Sequence, residues 1–95
     1  ADLDSINTMV HAVEIYNADP NTVTPGTGTI TATSGTVTAD ASIVAALTDA
    51  GMPTLPKMKS TEYKAWVITF TNTGWTITTD TDGTNGTKLS TALGR

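Results

Sequence analysis

The sequence contains no cysteine, only five lysine and arginine residues, and few aromatic residues, 5% of the chain. Without cysteine the chain can form no disulfide, no thiolate metal site and no cysteine nucleophile. Nine acidic side chains against five basic ones give a net charge of -4, which disfavours strong binding of DNA or RNA. Long apolar runs are also absent, since no stretch approaches the roughly 20 residues that a membrane-spanning helix needs.

The length and the abundance of threonine indicate the class of domain. A chain of 95 residues forms a single domain, here residues 1–95, that buries about 60% of the surface of its unfolded state. Threonine occupies 22 positions, and it is favoured in strands over helices. This composition predicts a small domain rich in strands and loops, of a kind common outside the cell.

The first segment, residues 1–17, has the periodicity of an amphipathic helix. With about 100° between successive residues, its larger apolar side chains fall on one side of the helix. These side chains are Leu3, Ile6, Met9, Val10, Val13 and Tyr16. We therefore predict a helix that packs through this stripe against a sheet, with Ile15 off the stripe as an exposed contact residue.

The second segment, residues 18–39, is polar and rich in Asp, Pro, Asn, Thr and Gly. We predict a variable surface loop that ends in a β-hairpin with a two-residue Ser-Gly turn. Threonines would cover one face of this hairpin and smaller apolar residues the other. The expected apolar pairs are Ile30 with Ala39 and Ala32 with Val37.

Residues 40–51 have the start and stop signals of a short helix. Asp40 stands at the expected N-cap position. Gly51 can adopt the left-handed conformation that ends a helix in a Schellman motif, with Met52 packing back on Leu47. We therefore predict a short second helix that stops at Gly51.

The last third, residues 63–93, is predicted to form a C-terminal antiparallel sheet. A strand over residues 63–71 alternates apolar and polar side chains, and a second strand over residues 75–79 returns after a glycine-containing turn. We expect a third short strand over residues 87–93. The aromatic side chains of this region, Trp66, Phe70 and Trp75, could form a platform for carbohydrate, but aromatic residues on strands usually belong to the core.

Few residues offer catalytic or metal-binding chemistry. His11 is the only histidine, and a single imidazole builds neither a zinc site nor a catalytic triad without partners that the sequence does not provide. We therefore predict that the protein is not an enzyme. Asp80, Asp82 and Asn85 offer oxygen ligands on a glycine-containing loop, so calcium binding is an alternative to a turn in which these side chains bind the backbone. No other cofactor is expected.

The order of these elements resembles the globular part of type IV pilins and of the related pseudopilins of secretion systems. The resemblance lies in the first helix ADLDSINTMVHAVEIYNAD, the short helix SIVAALTDAGM and the hairpin AWVITFTNTGWTITT. In that family a long helix has a membrane-spanning first half and an amphipathic second half that packs on a small antiparallel sheet. The first segment is similar to that second half, with Tyr16 matching an aromatic residue often found near its end. The family's processing site, cysteine pair and G-x-Y-P motif do not occur in these residues.

The resemblance implies an α+β, pilin-like fold and a function by self-assembly. The chain would be a structural subunit of a type IV pilus or pseudopilus that serves adhesion, motility, secretion or DNA uptake. An apolar half-helix upstream of Ala1 would anchor it in the inner or cytoplasmic membrane before it joins other pilins, with the assembly machinery, in a filament at the cell surface. The expected assembly surface outside that half-helix comprises His11, Glu14, Ile15, Lys57 and Lys59. A free-standing extracellular adhesin or carbohydrate-binding module is the alternative.

Overall fold

The computed structural model of the chain describes residues 2–80 and 88–94, and within them it shows three α-helices, one 3-10 helix and four strands. The bounds are α1 Asp2–Ala18, β1 Gly28–Thr33, β2 Thr36–Ala39, α2 Ala41–Asp49, the 3-10 helix Thr61–Tyr63, β3 Trp66–Thr71, β4 Gly74–Thr79 and α3 Leu89–Leu93. The strands form one antiparallel sheet in the order β2-β1-β3-β4. The predicted α+β class, with an N-terminal helix, a small antiparallel sheet and a short second helix, is confirmed. Within the described ranges, no helix has both the length and the apolar character needed to cross a bilayer.

The apolar stripe of α1 is buried in one core with the inner face of the sheet. Ile6, Val10 and Val13 are at most 1% exposed, whereas Leu3 and Tyr16, near the ends of the stripe, are half-buried and pack on the margin of the core. The strand residues in this core are Ile30, Ala32, Val37, Trp66, Ile68 and Phe70. The helix and the sheet therefore remove each other's apolar side chains from water, as the alternating patterns predict.

Helix α2 covers a second side of α1. It contacts both α1 and β1, and its residues Ile43, Ala46 and Leu47 are fully buried. Ala12 of α1 and Ala46 of α2 both line the groove between the two helices, and their small side chains allow the backbones to approach closely. The core therefore has three contributors: one face of the sheet and one face of each of the two longer helices.

The predicted β1–β2 hairpin is confirmed, with the predicted register of apolar pairs. Both turn residues have positive φ, 49° at Ser34 and 84° at Gly35, as a type I′ turn requires. The turn is tied to the segment that follows α2. The N–H of Gly35 donates to the carbonyl of Lys64 at 3.0 Å, and the N–H of Met58 donates to the carbonyl of Gly35 at 2.9 Å.

Both predicted ends of the short helix α2 are confirmed. Gly51 has φ of 87°, and the N–H of Met52 donates to the carbonyl of Leu47 at 2.8 Å, which is the Schellman motif. Asp40 occupies the N-cap position, but its side chain makes no cap hydrogen bond. Its carboxylate instead accepts a hydrogen bond from the N–H of Thr29 at 3.0 Å and joins the start of α2 to strand β1.

The predicted strand over residues 87–93 is wrong, because residues 89–93 form helix α3. The carboxylate of Asp80 accepts hydrogen bonds from the N–H groups of Leu89 and Ser90, so donors at the start of this helix are satisfied by a distant residue. Leu89 is fully buried and Leu93 packs beside the core. A spacing of four residues places two leucines on one face of a helix and also on one face of a strand, so this pattern alone did not distinguish the two.

Strand β3 also begins later than predicted. Tyr63 lies in the 3-10 helix, whose N-cap residue Ser60 accepts a hydrogen bond from the N–H of Glu62 at 3.1 Å. The indole N–H of Trp66 donates to the carbonyl of Tyr63 at 2.8 Å, which holds the chain in a turn immediately before the strand. Burial, together with the neighbouring Glu62 carboxylate, raises the pKa of the Tyr63 phenol above its usual value.

We expect Val10→Asp to unfold the domain. Val10 is 1% exposed, and the substitution buries an unpaired carboxylate while it removes an aliphatic contact. The expected cost is about 3 kcal/mol or more, a large share of the margin of a small domain. Asn7→Asp, at an exposed position of the same helix, is the control and should change the free energy of unfolding by less than about 0.5 kcal/mol. Equal urea midpoints for the two variants would contradict this packing.

We expect Gly35→Ala to destabilise the domain by about 1–3 kcal/mol. A Cβ at this residue, which has φ of 84°, would lie 2.8 Å from the carbonyl oxygen of Met58, so backbone would have to move. Gly74→Ala is the matched control, because a Cβ there meets no atom within 4 Å. Thermal melting of both variants tests the turn, and an unchanged melting temperature for Gly35→Ala would show that the turn is not held against Met58.

Candidate functional site

The outer face of α1 exposes a polar surface with one large apolar residue. Ile15 is 57% exposed, as predicted, and His11 one turn before it is also exposed. A groove of about 760 Å³ runs beside them, between α1 and the end of α2. Its α2 side is formed by Ala50 and Met52. We call the four residues His11, Ile15, Ala50 and Met52 the helix surface.

The residues that end α2 form the second side of the groove at the helix surface. The Schellman motif turns the chain back after Ala50, so that Met52 packs against the margin of the core instead of extending into solvent. The sequence predicted Ile15 and His11 as contact residues, and it predicted that Met52 folds back. It gave no signal that these residues would meet, because their meeting depends on how α2 crosses α1.

Glu14 does not belong to this surface. It lines a cleft on another side of α1, together with Trp75 at the start of β4 and Asn72 in the β3–β4 turn. The structure therefore brings His11 and Ile15 together and places Glu14 apart from them. Successive residues on a helix are about 100° apart, so Glu14 and Ile15 point in different directions.

Lys57 and Lys59 form a separate exposed patch at the beginning of α1. The carboxylate of Asp2 accepts hydrogen bonds from the N–H groups of Lys59, at 2.8 Å, and of Ser60. Asp2 is only 8% exposed, so this segment covers the first turn of the helix. Since a helix rises about 1.5 Å per residue, the lysine patch lies about 20 Å along the axis from Ile15.

The opposite end of α1 is closed by the polar loop. The side-chain amide of Asn17 donates to the carbonyl of Gly26 at 3.0 Å and accepts from its N–H at 2.7 Å. The hydroxyl of Thr22 donates to the carbonyl of Tyr16 at 2.7 Å, so this carbonyl near the end of the helix has a donor from the loop. This end carries the carboxylate of Asp19, which accepts a hydrogen bond from the N–H of Asn21.

The predicted calcium ligands are only partly within the described residues. Both oxygens of the Asp80 carboxylate accept hydrogen bonds from Ser90, including one from its hydroxyl at 2.6 Å. Asp82 and Asn85 lie outside the described residues. Among residues 2–80 and 88–94, no group of three or more histidine, aspartate and glutamate side chains could hold a metal ion. Calcium binding by this loop stays the alternative to a turn in which these side chains bind the backbone.

The three aromatic residues of the sheet have different environments. Trp66 and Phe70 are at most 2% exposed, which confirms that they belong to the core. Trp75 is half-buried, with its ring centroid 6.4 Å from that of Phe70, and it borders the cleft that Glu14 lines. The alternation of the strands predicted the burial of the first two residues. It could not predict the cleft, which forms between an edge strand and a helix distant in sequence.

Comparison of the chain with family models, with curated proteins and with solved structures finds no match. Three features of the described residues are therefore the basis for a proposed function. They are the helix surface, the lysine patch and the cleft at Trp75.

We expect Asp80→Ala to destabilise the domain by about 1–2 kcal/mol, because the N–H groups at the start of α3 lose their acceptor. The loss should be the same in EDTA and in about 1 mM calcium, since the effect needs no ion. Asp49→Ala, at an exposed position in the last turn of α2, is the control and should have little effect. A melting temperature that calcium raises, and that Asp82→Ala returns to the EDTA value, would instead demonstrate a calcium site.

Proposed function

We propose that this chain is the globular domain of a structural subunit of a type IV pilus or pseudopilus, which acts by self-assembly and not by catalysis. The observation that carries the proposal is the position of α1. One face of the helix is buried against a small antiparallel sheet, and the opposite face exposes Ile15 beside the groove formed with α2. A helix placed in this way can pack against a neighbouring subunit without any rearrangement of the domain.

The outer face of the sheet indicates how the domain would be oriented in a filament. The strand residues that alternate with the core residues are mainly threonines. They are Thr29, Thr31, Thr33, Thr36, Thr38, Thr69, Thr71, Thr76 and Thr78. An uncharged hydroxyl surface of this kind is compatible with permanent contact with water, so we assign the sheet to the outside of the filament and α1 to the inside.

The charges at the two ends of α1 fit contacts between copies of the chain. Lys57 and Lys59 lie over the first turn, whereas Asp19 follows the last turn. In a stack that repeats head to tail, the lysines of one copy would approach the Asp19 carboxylate of the next. Such exposed pairs contribute little energy, but they disfavour the wrong orientation of the subunit.

The proposal includes a location and partners. The subunit would be anchored in the inner or cytoplasmic membrane through an upstream apolar helix, and it would then enter a cell-surface filament together with other pilins and the assembly machinery. A free-standing extracellular adhesin or carbohydrate-binding module is the second candidate, which the cleft at Trp75 favours.

The coding sequence upstream of Ala1 tests the proposal directly. We expect about 20 mostly apolar residues, long enough to cross a membrane as a helix, preceded by a short basic leader. Filaments sheared from the cells that make the protein should contain these 95 residues, as detected by mass spectrometry and immunogold labelling. A flexible linker or a second globular domain directly upstream, with no labelled filaments, would contradict the proposal and favour the free-standing module.

We expect Ile15→Asp in the full-length protein to abolish or strongly reduce filaments while the melting temperature of the isolated domain stays unchanged. Ile15 makes no core contact that the charge would disrupt, but it lies on the helix surface. Val23→Asp is the matched control, because Val23 is also a large apolar residue that is exposed, to 94%, and it lies in the polar loop. Normal filaments in the Ile15→Asp strain would exclude this surface from assembly.

The isolated domain is expected to sediment as a monomer at micromolar concentration. Its helix surface and lysine patch are small against the roughly 800 Å² per partner of a stable interface. A tight dimer of the isolated chain would support the free-standing module instead.

A further inference from the structure

We propose that the lysine patch of one copy of the chain docks into a pocket between α1 and α2 of the next copy, where its ammonium groups pair with the carboxylates of Asp19 and Asp49. This inference rests on the proposed assembly function, and it names the contact that joins successive subunits. The pocket has a volume of about 210 Å³, and both carboxylates line it. Its apolar walls include Ala12, Ile15, Ala46 and Ala50. We call it the end pocket.

The shape of the end pocket suits a lysine side chain. Ala12 and Ala46, at the bottom of the groove between the helices, are buried, and exposed Ile15 stands beside them. The volume is several times the roughly 30 Å³ that one water molecule occupies in the liquid, so a single long side chain can enter. A lysine can lay its apolar stem on such walls while its ammonium group stays at the polar rim.

The charges around the end pocket favour a cation. Asp49 is the last residue of α2, and Asp19 directly follows α1. The C-terminal end of a helix carries a partial negative charge, so a carboxylate there is unfavourable and a cation is favourable. Neither helix has a basic residue in its last turn, and the described residues that line the pocket include no lysine or arginine. A cation supplied by another copy would compensate both carboxylates.

The lysine patch presents its charges from a fixed backbone. Met58, between the two lysines, is 7% exposed, and its N–H donates to the carbonyl of Gly35. The N–H of Lys59 donates to the carboxylate of Asp2. The side chains of Lys57 and Lys59 are exposed on this anchored segment. Docking therefore requires little ordering of the backbone, which lowers the entropic cost of association.

The patch and the end pocket cannot meet within one copy. The patch lies over Asp2 and the pocket reaches Asp19, so they are about 25 Å apart along α1 at 1.5 Å per residue. A contact between two different surfaces repeats from copy to copy and builds a ring or an open filament. Exposed ion pairs add little affinity, but they select one orientation of the incoming subunit.

The first experiment links amines to carboxylates that touch each other. Filaments sheared from the cells are treated with a water-soluble carbodiimide, which joins a lysine and a carboxylate without a spacer. Mass spectrometry then identifies the linked peptides. We expect links from Lys57 or Lys59 to Asp19 or Asp49, with a yield that falls by about fivefold or more in ~0.5 M sodium chloride because salt screens exposed charges.

The isolated domain allows the same contact to be tested without filaments. Isotope-labelled and unlabelled copies are mixed at about 1 mM, a concentration at which weak contacts are populated, and are treated with the carbodiimide. We expect the same linked peptides, with one labelled and one unlabelled partner, because the distance within one copy is too long for a direct link.

Charge reversal tests whether the two surfaces recognise each other. Lys57→Glu with Lys59→Glu, and separately Asp19→Lys with Asp49→Lys, should each strongly reduce filaments, because the patch and the pocket then have the same sign. Co-expression of the two double variants should restore filaments, since each supplies the surface that the other lacks. Melting curves show that each variant is folded. Lys88→Glu, at an exposed position beside α3, is the control and should assemble normally.

The results separate this contact from the proposed function. Filaments whose links join other pairs of residues, or folded double variants that co-expression fails to restore, would overturn the contact and leave the filament function in place. If the cells make no filaments but the isolated domains link patch to pocket, the contact stands and the filament function fails. Absence of these links in both preparations would overturn the contact.

Discussion

The contact between the apolar stripe of α1 and the inner face of the sheet is the interaction on which every other element depends. A domain of this length buries a smaller share of its surface than larger domains do, and the chain has no cysteine that could add a covalent link. The edge strand β4 has few buried side chains of its own and is held through β3, while α3 is held through its buried leucine and the distant Asp80 carboxylate. Loss of the helix–sheet contact would leave each of these parts below the size that is stable alone.

The sequence allowed prediction of those elements whose signals are local. The Ser-Gly turn predicted the register of the β1–β2 hairpin, because Gly35 readily adopts positive φ and a two-residue turn fixes which strand residues face each other. Gly51 followed by Met52 predicted the end of α2 for the same reason. The mistaken strand at residues 87–93 shows the limit of such signals. The backbone N–H of Leu89 at the start of α3 donates to the carboxylate of Asp80. No residue of the tail itself indicates that this acceptor lies nine residues earlier in the chain.

The candidate site was predictable to a smaller extent than the fold. Exposure of Ile15 follows from its position off the helical stripe, and burial of Trp66 follows from strand alternation. The different directions of Glu14 and Ile15 follow from the roughly 100° between successive helical residues. The surfaces that these two residues line depend instead on the packing of the hairpin and of α2 against different sides of α1, which is a tertiary arrangement. The cleft at Trp75 likewise depends on how far the edge strand stands from the helix, a distance that no pattern of residues encodes.

The hydrogen bonds that Asp2 accepts determine how mechanical load would enter the domain. A pull on the beginning of α1 acts on a turn whose carboxylate is held by the backbone of Lys59 and Ser60. The neighbouring Met58 is bonded in turn to Gly35 in the β1–β2 hairpin. Tension on the helix is therefore shared by three parts of the chain that are distant in sequence, and α1 cannot peel away from its first turn without also displacing the connection that follows α2.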